Sequence, residues 1–177
     1  MGDPLPGQVA VIPAHRAPVP WLIAAATGSH SYHMVCAIGG GRVVSAEPGG
    51  VRFRLVSEWP TAVWSQYPLS GLAGQRAADF AVAQVGKPYA FADDALIGVE
   101  RLLRFRFPGW VRRAYEADGQ WQCAQLATAT LLAGGVDPFP GDRDKLGDVA
   151  PGDYERAFVR AGWVAASVFS SVVLAPW

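Results

Sequence analysis

The chain has 177 residues, 51% of them hydrophobic and 17% charged, with lysine plus arginine equal to aspartate plus glutamate at fifteen each. That length and apolar content suffice for a single domain with its own core, and they exclude a disordered or fibrous chain. The zero net charge excludes a global electrostatic pull toward nucleic acid or an acidic membrane surface.

The opening Met1-Gly2-Asp3-Pro4-Leu5-Pro6 lacks the basic patch and apolar run of a secretion signal. The longest apolar stretch, Trp163 to Trp177, is shorter and more serine-rich than the ~20 apolar residues that a membrane span needs. Two cysteines, Cys36 and Cys123, cannot build a disulfide framework, so a reduced setting or a catalytic thiol is the simpler reading.

In chain order, Gln8 to Ile12 reads as a short strand closed by Pro13, followed by a proline-rich connection and one or two helical turns within Trp21 to Ala26. A hairpin follows, with His33 to Ile38 as the first strand, Gly39-Gly40-Gly41 as the turn and Arg42 to Glu47 as the return. Val51 to Val56 forms a third strand. Leu72 to Val85 reads as a helix with Ala73, Ala77, Phe80 and Ala81 on one stripe, stopped by Gly86 and Pro88. Asp93-Asp94 caps a second helix through about Phe105, and a third runs from Trp121 or Gln122 to Ala133, where Gly134-Gly135 stops it. Trp163 to Leu174, rich in Val, Ser and Phe, reads as one or two closing strands.

Cys123 falls in the first turn of the third helix, where unpaired backbone N–H groups and the helix dipole favour a thiolate. The competing reading is a small buried apolar residue. Period-two alternation places His33, Val35 and Ala37 on one face and Met34, Cys36 and Ile38 on the other, so Cys36 points away from His33. Ser45 and Glu47 share a parity, and either can lie beside the imidazole and hold it, as a Cys-His pair requires. The spacing His30-x-x-His33-x-x-Cys36 does not converge on a metal from a strand, so no metal and no cofactor is expected. His30 is the rival general base, and His15 reads as a surface residue. Arg101, Arg104, Arg106, Arg112 and Arg113 alternate with aromatics, which reads either as the solvated side of a helix pair or as a basic face.

Taken in order, these pieces resemble the NlpC-type branch of the papain-like cysteine peptidases in its circularly permuted arrangement. His33 to Gly39 looks like the family's histidine strand, Gly86-Lys87-Pro88-Tyr89 like its Gly-x-Pro-Tyr segment, and Gln122-Cys123-Ala124-Gln125-Leu126 like its nucleophile motif. Ala133 to Phe139 and Gly147 to Asp153 look like tail segments of the permuted branch. The likeness spans about Gly7 to Gly162.

The resemblance implies an α+β, papain-like fold, a single domain with an antiparallel sheet packed on the cysteine helix. It implies Cys123 as nucleophile, His33 as general base, and Tyr89 and Gln122 as substrate-binding residues. The third family position, twelve residues after His33, is Ser45, and the nearest carboxylate is Glu47. Glu47 is favoured as the partner of the ring, with Ser45 as the alternative. The implied substrate is a peptidoglycan peptide amide, with lipid-acyl hydrolysis or transfer next. An inert binding or structural module, such as a phage virion component, is the reading from a different class. No leader being recognised, such a protein would be cytoplasmic or virion-borne.

Overall fold

The computed structural model describes residues 3–14, 29–69, 71–90, 120–141 and 149–173. The expected turns at 21–26, His15, the helix at 93–105 and the arginine and aromatic run at 101–115 lie outside them.

Among the described residues, five antiparallel strands form one sheet in the order β4-β3-β2-β1-β5. They are β1 (Val9–Pro13), β2 (Ser31–Gly39), β3 (Arg42–Glu47), β4 (Gly50–Leu55) and the two-residue β5 (Val63–Trp64). The expected hairpin is β2 and β3, in the register Val35↔Ser45, Cys36↔Val44 and Ala37↔Val43. Its turn needs glycine, because Gly39, Gly40 and Gly41 all have positive φ, at 84°, 61° and 68°. The third expected strand is β4, which yields to a 3-10 turn at Val56–Glu58. β5 was not anticipated, since two residues leave no periodic pattern to read.

Alternation along the strands separates two apolar clusters. Val9, Val11, Met34, Cys36, Val44 and Ala46 belong to the main core, whereas Ala10, Ile12, Val35 and Val43 form a second cluster with Tyr32, Val56, Trp59 and Trp64 packed against it. Both sheet faces are therefore covered, and the strands carry apolar residues on both parities.

Among the described residues the helices are α1 (Leu72–Ala83), α2 (Cys123–Ala133), α3 (Pro151–Arg160) and α4 (Ala166–Val173). α1 and α2 pack on each other and on β2, and α3 also reaches β1 and β2. α1 buries only small residues, Gly74, Ala77, Ala78 and Ala81, and this lets neighbouring backbone approach closely. A Cβ on Gly74 would meet the Pro6 carbonyl oxygen at 2.5 Å. Near its start, β4 is bridged by the residues after α1: Val51 N–H donates to Lys87 O at 2.9 Å and Gly86 N–H to Val51 O at 2.8 Å.

Two expectations need correction or supplement. Residues expected as closing strands contain helix α4, with Phe169 buried in the main core. Strand preference largely reflects the fit to a pleated surface, and this segment joins none of the five strands; its backbone groups bond locally instead. α3 was not anticipated, although Pro151 at its first turn and the Asp153 Oδ2 that accepts the Ala150 N–H at 2.9 Å are legible start signals. No helix among the described residues is long and apolar enough to cross a membrane.

Candidate active site

The cysteine helix begins where the sequence predicts. Gln122 is the extended N-cap residue, its N–H reaching Gln125 Oε1 at 3.3 Å, and Cys123 is the first helical residue. The first-turn N–H groups there favour negative charge. Cys123 is 5% exposed and belongs to the main core cluster, while Gln122 is also buried and its Oε1 has no hydrogen-bond partner among the described residues.

The Gly-x-Pro-Tyr segment is tied directly to this helix head. Tyr89 forms a parallel bridge with Trp121; Trp121 N–H donates to Pro88 O and Ala90 N–H to Trp121 O, both at 3.1 Å. The Trp121 indole N–H and the Lys87 ammonium both donate to Gln84 Oε1, at 3.1 and 2.7 Å. Three sequence-predicted residues, Tyr89, Gln122 and Cys123, thus occupy one end of α2 together with Trp121.

His33 lies near the start of β2, paired across β1 with Ile12. It is 7% exposed, and its Nε2 lies 2.8 Å from Ser45 Oγ, which is fully buried. The Trp59 ring sits 5.2 Å away between centroids and the Tyr32 ring 5.9 Å. Burial lowers the imidazole pKa to about 4, with Glu47 opposing and Arg54 reinforcing the shift. The ring is therefore neutral at physiological pH, and the Ser45 bond engages Nε2, distinguishing it from Nδ1.

The expectation that Glu47 holds the ring is corrected. Its Oε1 accepts from Arg54 Nε at 2.7 Å and lies 3.3 Å from Arg52 Nε. The β2–β3 ladder ends at Val35↔Ser45, and at the next level Glu47 pairs with Gly50 of β4 instead. A carboxylate between two permanent cations gains more from their charged donors than from a neutral imidazole.

Further residues bear on the site. The Tyr32 phenol has its pKa raised by burial first, then by the charges of Cys123 and Glu47, so it lies within electrostatic reach of both. Its ring also neighbours that of His33, with centroids 5.9 Å apart. Tyr32 and Trp59 were missed at the sequence level; only the position of Tyr32, one residue before His33, hinted at a role. His30, the rival base, is clipped to α3: its Nδ1 lies 3.0 Å from Glu155 Oε1, and its backbone N–H and the Ser31 hydroxyl donate to Oε2 at 3.0 and 2.9 Å. Cys36 faces the main core, where burial pushes its thiol up to about 12. His30, His33 and Cys36 accordingly lie in different surroundings, beside Glu155, beside Ser45 and in the main core.

Compared with known proteins, the chain matches no family model and no curated relative.

Proposed function

We propose that the chain is a cysteine hydrolase of the permuted NlpC type, with a papain-like arrangement, acting on an amide in a peptidoglycan peptide. The observation that carries this reading is the buried His33–Ser45 hydrogen bond, which orients a neutral imidazole, in a protein whose Cys123 opens helix α2.

In this reading His33 takes the proton of Cys123, and the thiolate attacks the carbonyl carbon to give a tetrahedral intermediate. The Cys123 N–H donates to the oxyanion. His33 then passes its proton to the departing amine as the C–N bond breaks, and water, deprotonated by His33, hydrolyses the acyl-enzyme. Ser45 fixes the ring, with Glu47 acting on it only through charge, and Tyr89 and Gln122 line the substrate. Lipid-acyl hydrolysis or transfer uses the same steps with an oxygen or sulfur leaving group.

A second reading, an inert binding or structural module such as a virion component, is favoured by the burial of Cys123 at 5% exposure and by a hydroxyl, not a carboxylate, on the His33 ring. The deciding experiment incubates wild type and Cys123→Ala with purified murein and, separately, with acylated phospholipid. New amino termini released from murein by wild type alone support the amidase, and fatty acid released by wild type alone moves the assignment to acyl lipid. No product from either substrate, together with no labelling of Cys123 by a peptidyl acyloxymethyl ketone, leaves the inert module.

A further inference from the structure

A cavity of about 730 Å³ opens beside α3, lined by Tyr67, Phe139, Trp163, two flanking prolines, and one face of α3 with Asp153, Arg156 and Arg160. That volume is in the range of small-molecule sites. None of the residues that line it is among those placed in the site above. It is separate from the site above.

The walls are aromatic and mutually braced. Tyr67 meets Trp163 edge-on with centroids 4.6 Å apart, and Trp163 also leans on Phe158 at 5.3 Å. The charges on this face are unevenly matched. Asp153 is engaged twice, its Oδ2 accepting the Ala150 N–H at 2.9 Å and its Oδ1 accepting from Arg156 at 2.6 Å. Asp137, near Tyr67, has its Oδ1 accepting the Phe139 N–H at 2.9 Å. Arg160, one turn beyond Arg156, spends only its Nε, in a long 3.4 Å bond to the Arg156 carbonyl, and pairs with no carboxylate among the described residues. Its two terminal nitrogens form a fork suited to a planar anion.

We propose that this cavity binds an organic carboxylate carrying a flat apolar group, the carboxylate on the Arg160 guanidinium and the apolar part against Trp163 and Phe139. Burial keeps the Tyr67 hydroxyl protonated, its pKa raised to about 12, so it adds a neutral donor and no competing negative charge. The acid can be a free small molecule or the C-terminus of a peptide ending in an aromatic residue, since both present the same chemistry.

The test titrates the full chain with phenylacetate and with its uncharged counterpart phenylacetamide, following the tryptophan indole N–H resonances by NMR. Saturable shifts with phenylacetate, at least tenfold weaker for the amide, and reduced to the level of the amide by Arg160→Gln, are expected. Arg160 is exposed at the end of its helix, so the substitution leaves the core intact, and Arg160→Lys should recover part of the affinity. The peptide Gly-Gly-Phe and its C-terminal amide separate the two sources: tighter binding of the peptide acid than of phenylacetate assigns a peptide terminus, and the reverse a free acid. Absence of saturable binding by either acid, equal binding of the acids and their amides, or an Arg160→Gln protein that binds as wild type would each overturn the proposal.

Discussion

The imidazole Nε2 of His33 and the hydroxyl of Ser45 lie 2.8 Å apart on neighbouring strands, both withdrawn from water. Neither group can exchange this partner for solvent, so Ser45→Ala leaves a buried ring nitrogen unsatisfied. Loss of a net hydrogen bond and the desolvation of its orphan predict a destabilisation of about 1–3 kcal/mol. If the hydrolase reading holds, turnover falls as well, by roughly 10- to 100-fold, because the ring loses its orientation. Urea unfolding checks the first outcome and murein digestion the second; unchanged stability would show that the bond contributes nothing.

The pH dependence of stability follows from His33. Its folded pKa, about 4, lies below the ordinary 6.5, so between these values the unfolded chain binds more protons than the folded one. Stability is therefore full above pH 6.5, declines as the pH falls toward 4, and loses roughly 3 kcal/mol from this residue across that window. His33→Gln should flatten the corresponding part of the curve. A wild-type profile with no decline between those limits would contradict the burial of a neutral ring.

The two thiols should differ in reactivity. Cys36, buried with its pKa at about 12, is expected to resist iodoacetamide until the protein unfolds. Labelling of a Cys123→Ala protein isolates it, and the expected rate in native buffer at neutral pH is at least a hundredfold below that in denaturant. Rapid native labelling would mean that the sheet's core face is open to solvent.

Gly74 gives a test of packing in which helix propensity and sterics have opposite signs. Alanine in a helix is worth about 1 kcal/mol over glycine. Here the added Cβ would press on the backbone oxygen of Pro6 at 2.5 Å, which cannot rotate away as a flexible side chain would. Gly74→Ala is expected to destabilise by about 1–3 kcal/mol, seen as a lowered denaturation midpoint. A stabilised variant would place Pro6 away from α1.

Glu155 joins α3 to the start of β2 through His30 and Ser31. Removing the carboxylate as Glu155→Ala strips partners from a backbone N–H and a hydroxyl together, with an expected cost of about 2–4 kcal/mol. Glu155→Gln, which keeps an acceptor oxygen but must also place an amide, should fall between. Equal stability of the three proteins would reduce this contact to a surface pair.

Local chemistry in the sequence was enough for the β2–β3 hairpin with its three glycines, the helices at Leu72 and Cys123, and the opposite facing of His33 and Cys36. Each of these depends on residues within one turn or one strand of one another, through backbone conformation and the two- and 3.6-residue periods. The partner of the imidazole was a different kind of question. Ser45 and Glu47 share one parity, and the choice between them depended on where the ladder ends and on Arg52 and Arg54 of a third strand drawing the carboxylate aside. Helix α4 likewise became a helix because no strand pairs with it, and Tyr32, Trp59 and the Arg160 cavity exist only as meetings of distant segments. Side-chain type and spacing set what each segment can do alone; the competition of long-range partners for the same hydrogen bonds and the same buried space decides what it does in the folded protein.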